Sequence, residues 1–382
     1  VNTQGATWGD FNGDSYLDLY VGAHENPNYE PDVMLLNHEG NGFTIAFQEA
    51  SGISPGRGTT AADFDEDGDL DVYVSNYRLE PNDLWENDGL GNFSNGAFDK
   101  GVAGDAGGDY SYGHTIGSAW GDMDNDGHFD LFVGNFRHPW GDGSQDYSKF
   151  LRNRGPTHGY DFELRNELDG GDWQEGYAAP AFGDHDNDGD LDFFFTAAPP
   201  NPGDRGRLYR NDGNWQFTND TSNSGDLASV GNSYQNGWGD LDNDGDLDLV
   251  TGARIFRNDS SNNNNWVKVK LVGDGEQVNT TAIGAQVRAS YGGAMASRQV
   301  EGGTGQGSQN DLTLHFGLGN YSGNVSLEIT WPDGTVRNVN VTANQYHTIL
   351  MNEGPSVPTD LVANQLGTTS ANLSWTESLD PN

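Results

Sequence analysis

Short, mostly apolar runs recur along the first two-thirds of the chain, too brief for helices and too regular for chance. Leu17 to Val21, Leu70 to Val74, Phe129 to Val133, Leu191 to Phe195 and Leu247 to Val250 are rich in β-branched and aromatic residues, the signature of strands. Each is preceded by a second short run that ends Trp8-Gly9-Asp10, Ala61-Ala62-Asp63, Trp120-Gly121-Asp122, Phe182-Gly183-Asp184 or Trp238-Gly239-Asp240. A third follows as Leu35-Leu36-Asn37, Leu84-Trp85-Glu86-Asn87, Phe150-Leu151-Arg152-Asn153 and Leu208-Tyr209-Arg210-Asn211, leading into an Asn/Gly turn. An aromatic then marks a fourth, at Phe43, Phe93, Phe162 and Phe217. Each repeat therefore predicts four antiparallel strands, and the chain is expected to be all-β. The fifth repeat is shortened: Asn258 of Ile255-Phe256-Arg257-Asn258 falls only 18 residues after its loop begins, which marks the end of the array.

Between the first and second strands of every repeat the pattern turns polar in a fixed way. The spacing D-x-[DN]-x-D-G-x-x-D is met at Asp63, Asp65, Asp67 and Asp71; at Asp122, Asp124, Asp126 and Asp130; at Asp184, Asp186, Asp188 and Asp192; and at Asp240, Asp242, Asp244 and Asp248. Asp10, Asn12, Asp14 and Asp18 make a weaker copy, with Ser15 where the others have glycine. The loops begin at 10, 63, 122, 184 and 240, one per blade-sized unit. Two carboxylates about 5 Å apart repel by roughly 3 kcal/mol at an effective dielectric near 20, and each loop gathers about four. A divalent cation removes that strain. Oxygen donors without His or Cys select a hard ion, so about five calcium ions are expected, with glycine at the sixth position allowing the sharp turn.

These residues resemble the FG-GAP/VCBS repeats of integrin-type β-propellers over residues 1–259. The resemblance implies a propeller of four-stranded blades, five of them visible, with calcium held by the Asp and Asn positions just named. A polar linker at 260–265 follows. Residues 266–352 carry Ile283-Gly284-Ala285, Phe316-Gly317-Leu318-Gly319 and Trp331-Pro332-Asp333-Gly334, and resemble the ASPIC/UnbV module found behind such propellers, a second, sandwich-like β domain. Residues 355–382, with Leu361, Leu373 and Trp375, resemble the opening strands of a fibronectin type III domain. Two strands cannot close such a sandwich, so this segment is expected to pair with something outside itself.

Composition narrows the function. The formal charge of −40, only brought to about −30 by five calcium ions, argues against nucleic-acid or anionic-membrane partners. There is no cysteine, so calcium takes the stapling role of disulfides, and millimolar calcium is an extracellular resource. No apolar run is long enough to span a membrane. Nucleophile and base signatures are missing, and an enzyme is not expected. The sequence points instead to an extracellular or cell-surface adhesion or structural protein, with a protein partner or self-association into filaments or layers. The alternative is a lectin or carbohydrate-active enzyme that binds glycan at the propeller mouth through Gln4, Arg57, His114, Tyr177 and Tyr234, although ordinary polar loop positions are the plainer reading of these residues. Trp8, Trp120 and Trp238 are expected in the core of the inner strands. Eight Asn-x-Ser/Thr sequons are too few above chance to claim glycosylation.

Overall fold

The computed structural model describes residues 3–23, 31–48, 55–104, 112–136, 148–165, 177–197, 205–231, 233–260, 262–352, 362–365 and 371–374. The apolar runs and the strands before them pair as expected. Blade one is β1 (Thr3–Gly9), β2 (Asp18–Ala23), β3 (Val33–Asn37) and β4 (Phe43–Gln48). Blade two is β5 (Gly56–Ala62), β6 (Asp71–Asn76), β7 (Asp83–Asn87) and β8 (Phe93–Asn95). Blade three is β9 (Thr115–Gly121), β10 (Asp130–Asn135), β11 (Lys149–Asn153) and β12 (Phe162–Arg165). Blade four is β13 (Tyr177–Gly183), β14 (Asp192–Ala197), β15 (Arg207–Asn211) and β16 (Phe217–Asn219). Blade five has only β17 (Asn236–Gly239), β18 (Asp248–Thr251) and β19 (Arg254–Phe256) among the described residues.

The sheets are up-and-down meanders, each with its first strand beside the first strand of the next: β1 by β5, β5 by β9, β9 by β13 and β13 by β17. Side chains alternate between the two faces of a pleated strand, so every blade presents one apolar face backward and one forward. The forward face of blade three (Ala119, Phe132, Phe150) packs on the backward face of blade four (Phe182, Phe193, Phe195). The ring centroids of Phe132 and Phe150 lie 5.5 and 5.0 Å from that of Phe193, within the range where aromatic pairs gain beyond area burial. Trp120 and Trp238 are 5% and 6% exposed, core residues as expected. Trp8 is 39% exposed, because no described blade covers the backward face of blade one.

Behind the array lies a two-sheet sandwich. β20 (Asn265–Val272), β23 (Leu314–Gly319) and β26 (Tyr346–Leu350) form one sheet, ordered β23-β20-β26; β21 (Gln286–Tyr291), β22 (Ala294–Gln299), β24 (Asn324–Thr330) and β25 (Val336–Thr342) form the other, ordered β22-β21-β24-β25. Val267, Val269, Val287, Phe316, Leu327 and Ile329 fill its core. β27 (Val362–Gln365) and β28 (Ala371–Ser374) pair with each other; Leu361 and Trp375 lie outside the described residues.

The sandwich does not hang from the array by its linker alone. A Gly-rich strap, residues 301–311, leaves it between β22 and β23 and lies against the inner strands. The Trp8 N–H donates to Gly302 O at 3.0 Å, Thr59 N–H to Gly305 O at 3.2 Å, and Asp311 N–H to Trp238 O at 2.9 Å. At Gly302 a Cβ would stand 1.8 Å from the Trp8 carbonyl oxygen, so only glycine permits this approach. The strap thus bonds to both the first and the last blade.

Candidate metal centres

Each acidic loop is a tight turn between the first and second strands of a blade, and backbone N–H groups set its carboxylates. The first aspartate accepts from the N–H of the fifth residue in all five loops: Asp10 from Asp14, Asp63 from Asp67, Asp122 from Asp126, Asp184 from Asp188 and Asp240 from Asp244. The sixth residue has positive φ throughout, at Gly68, Gly127, Gly189 and Gly245 and, against its steric preference, at Ser15 (φ 71°). The ninth carboxylate sits at the start of the second strand, where the third-strand asparagine fixes it: Asn37, Asn87, Asn153, Asn211 and Asn258 donate their N–H to Asp18, Asp71, Asp130, Asp192 and Asp248 at 2.8–2.9 Å.

This geometry brings the first, third and ninth carboxylates together in four loops. Asp63, Asp65 and Asp71; Asp122, Asp124 and Asp130; Asp184, Asp186 and Asp192; and Asp240, Asp242 and Asp248 each offer oxygens within 4.8 Å of one another. The fifth-position carboxylates Asp67, Asp126, Asp188 and Asp244 are not in these groups; one oxygen of each accepts the N–H of the seventh residue. In the first loop Asn12 takes the third position, and its amide donates to Asp14 at 3.1 Å, partly supplying what a cation would.

The donor set fits a hard divalent cation. Asp65 Oδ1, Asp71 Oδ2 and Asp124 Oδ1 are buried without a hydrogen-bond partner, an arrangement that costs free energy unless a positive charge sits among them. Burial pushes Asp18, Asp63 and Asp122 up to about 7, and Asp71 and Asp130 well above the usual carboxylate range. Compensation differs among the loops. Arg152 donates to Asp124 and Asp126 at 2.6 and 2.8 Å, and the buried Lys268 of the sandwich to Asp240 at 2.7 Å. His185 Nδ1 lies 2.6 Å from Asp192; burial opposes its charge, yet the carboxylate contact pushes it up to about 9. In loop two no described cation is ion-paired to the triad; burial raises Asp65, and Lys100, paired with Glu86 at 3.3 Å, only lowers it from nearby, so much of the charge there is left for a bound ion.

A feature the spacing alone does not convey is that neighbouring loops are joined. The fourth residue of one loop reaches the seventh of the next: Glu66 to His128 at 2.7 Å, Asn125 to Asp190 at 2.6 Å and Asn187 to Asp246 at 2.6 Å. At the end of the row Asn243 accepts from Lys268 at 3.4 Å, handing the ladder to the sandwich. At its start Gly13 has no side chain to offer, and Asp69 Oδ1 is left buried and unpartnered. The recurring Asn at the fourth position of loops three, four and five was the available signal. The sandwich adds Arg288 to Glu66 at 2.9 Å, Gln286 to the Asp63 carbonyl at 3.2 Å and the Gly317 N–H to Asp184 at 3.1 Å.

The mouth candidates are placed differently. Arg57 stacks over Tyr77 at 3.9 Å, Tyr77 lies 4.6 Å from His114, and Tyr77 and Tyr234 pack on Ile116 and Phe136. Gln4 accepts a hydrogen bond from Gln306 of the strap; the Tyr177 side chain lies outside the described residues.

Fold and loops together define a repeat protein of propeller-type blades, each with an acidic turn, four of which could hold a cation, joined to a β-sandwich. The chain belongs to the FG-GAP-like repeat family, which it matches at residues 10–74, 63–133 and 184–251, together half its length. Residues 275–356 match the ASPIC and UnbV module. It is 26% identical over 380 residues to cartilage acidic protein 1 of Homo sapiens, covering 89% of this chain and 52% of that protein, and 25% identical over 372 residues to the protein of that name from Xenopus tropicalis, covering 89% and 53%. The chain thus spans about half the length of these relatives. Among solved structures, the V. cholerae biofilm matrix protein Bap1 aligns with 89% of this chain and 60% of its own at 13% identity and a TM-score of 0.32.

Proposed function

We propose that the protein is an extracellular adhesion or structural protein whose blades are locked by calcium, with Asp10, Asn12, Asp14 and Asp18 and their equivalents in the other four loops as ligands. The observation that carries this reading is the row of four carboxylate triads, two of them with orphaned oxygens, laid along the seam between array and sandwich. Bound calcium would supply the missing positive charge. The chain's own residues then hold the blades in register through the asparagine ladder and the Lys268 and Arg288 contacts. The acidic surface suits a partner in the extracellular matrix rather than a nucleic acid or an anionic membrane, and the relatives' name, cartilage acidic protein, agrees with such a setting. In this reading there is no turnover: the ordered carboxylates are ligands and not acid–base groups. The lectin or carbohydrate-active reading is disfavoured by the strap against the inner strands and by the stacking of Arg57, Tyr77 and His114 on one another.

Calorimetric titration of calcium into the chelated chain tests the site count. Four or five equivalents are expected, and fewer than two would overturn the reading. A glycan array and a polysaccharide-degradation screen on the calcium-loaded chain test the rest, since saturable sugar binding or cleavage would favour the lectin or enzyme. The finer reading, a self-assembling subunit, rests on the β27–β28 hairpin, whose outer edges have no strand partner among the described residues. Deleting residues 356–382 should abolish any filaments seen by negative-stain microscopy; filaments that persist would sink it.

A further inference from the structure

Blade five ends one strand early, and the place of its missing strand is a groove. In blades one to four an aromatic on the fourth strand stands opposite the third-strand asparagine: Phe43 by Asn37, Phe93 by Asn87, Phe162 by Asn153 and Phe217 by Asn211. In blades two to four its ring points back and wedges between two blades. Phe162 lies 5.8 Å from Phe64 of blade two and 6.0 Å from Trp120 of its own blade; Phe217 lies 4.9 Å from Phe150 of blade three and 5.3 Å from Phe193 of its own.

Blade five keeps everything up to that point. Asn258 donates its N–H to Asp248 at 2.8 Å and its amide to the His185 carbonyl at 2.7 Å, as Asn211 does to Asp192 and to the Met123 carbonyl. Beyond β19, however, no strand pairs among the described residues. A groove of about 720 Å³ opens there between blades four and five, lined by His185, Leu208, Trp238, Leu249 and Phe256. The first four are the repeat equivalents of Phe64, Phe150, Trp120 and Phe193, the residues that hold the rings of Phe162 and Phe217. The groove is therefore continuous with the blade interface, with His185, Leu208, Trp238 and Leu249 as its nearly buried floor.

We propose that β19 accepts an extended peptide from a partner protein, paired antiparallel, with a phenylalanine opposite Asn258 and its ring in this groove. The sibling strands of blades two and four, Phe93-Ser94-Asn95 and Phe217-Thr218-Asn219, define the sequence chemistry: Phe, then Ser or Thr, then Asn. Backbone pairing to the free edge of β19 supplies affinity, and the aromatic pocket supplies selectivity. The inference concerns a protein partner and does not depend on the adhesive reading or on how many loops bind calcium.

The test is a fluorescence anisotropy titration of the calcium-loaded 382-residue chain into a labelled peptide with the sequence of residues 216–221. Saturable binding is expected, weakened at least tenfold when the peptide phenylalanine is alanine. The chain variant Leu249→Trp, which crowds the groove from its buried floor, should lose binding while still melting cooperatively, at a temperature lowered by overpacking. Hydrogen exchange needs no variant: the Ile255 and Phe256 amides should slow with the Phe peptide and not with the Ala peptide. Equal binding of the two peptides, binding retained by a folded Leu249→Trp chain, or unchanged exchange at β19 would each overturn the proposal.

Discussion

The middle blades and the end blades are built from the same positions, yet those positions do different work. Tyr20, Tyr73, Phe132 and Phe194 are fully buried on the forward faces of blades one to four, whereas Val250, their equivalent in blade five, is 41% exposed. Met34, Leu84, Phe150 and Leu208 are likewise buried, and the equivalent Ile255 is 67% exposed. At the other end Trp8 and Phe43 lie bare where Trp120 and Phe162 are covered. A blade face is apolar because a neighbour is meant to cover it, so burial here is a property of the pair of blades. Among the described residues the row of blades ends in two partly exposed faces, and the strap from the sandwich bonds to both of its ends.

The largest effect should come from removing the calcium proposed for the four triads of loops two to five. With calcium at about 100 times its dissociation constant each site adds roughly 2.7 kcal/mol, so four triads add on the order of 10 kcal/mol, and excess EDTA should lower the melting temperature steeply. The effect is expected to be larger at pH 8 than at pH 5. Burial raises Asp18, Asp63 and Asp122 to about 7, so without metal the folded state binds protons that the unfolded state has released. Metal-free stability therefore falls as pH rises from about 4 to 7, where calcium would restore it. A melting curve indifferent to EDTA at both pH values would remove calcium from the account.

Packing gives the next contrast. Phe132→Ala should destabilise by about 3–5 kcal/mol, the range for a large core residue, because its ring is locked against Phe150, Phe193 and Phe195. Val250→Ala, at the equivalent place with nothing over it, should cost under ~0.5 kcal/mol. Denaturant midpoints measure both. Equal losses would mean that blade five has a covering element in solution.

What was legible in the sequence follows the same divide between repeating and single features. The strands, the loops and the shortened fifth repeat could be read because each recurs at a fixed offset from an Asp. Asn12 and Ser15 set the first loop apart from its siblings, and Ser15 is held in the left-handed region that they fill with glycine. The burial of Trp8 was overestimated because neither residue type nor spacing says whether a further blade stands beside it. The strap, Glu301-Gly302-Gly303-Thr304-Gly305 onward, carries no hydrophobic period; its partners are backbone groups about 60 to 300 residues away, and such pairing leaves no local trace.

Within the metal loops the contrast is between loop two and loop one. Asp71 is buried and its Oδ2 is unpartnered, and no described cation is ion-paired to its triad, so Asp71→Ala should remove one calcium equivalent and about 2–3 kcal/mol. Asp10→Ala should cost less than about 1 kcal/mol, since the Asn12 amide already answers part of the charge of that loop. Calorimetric site counts on the two variants decide it; a larger loss from Asp10→Ala would reverse the ranking.

The smallest expected effect sharpens the tie between the two ends of the row. Glu301 opens the strap, accepts from Thr304 and Asn310 at 3.0 and 3.2 Å, and is pushed up to about 7 by burial. A carboxyl raised in the folded state binds its proton more tightly there than in the unfolded chain. Its contribution is therefore favourable below about pH 4.5 and fades as pH climbs to 7. Glu301→Gln keeps a neutral side chain of the same shape at every pH, with an amide that still accepts from both partners. The variant should match the parent near pH 4.5 and exceed it by ~1 kcal/mol at pH 8, the shift being discounted because the side chain is only half-buried. Thermal melts of both chains at the two pH values, with calcium saturating, check the sign. A variant less stable than the parent at pH 8 would mean that the ionised carboxylate, and not its neutral form, holds the strap against blades one and five.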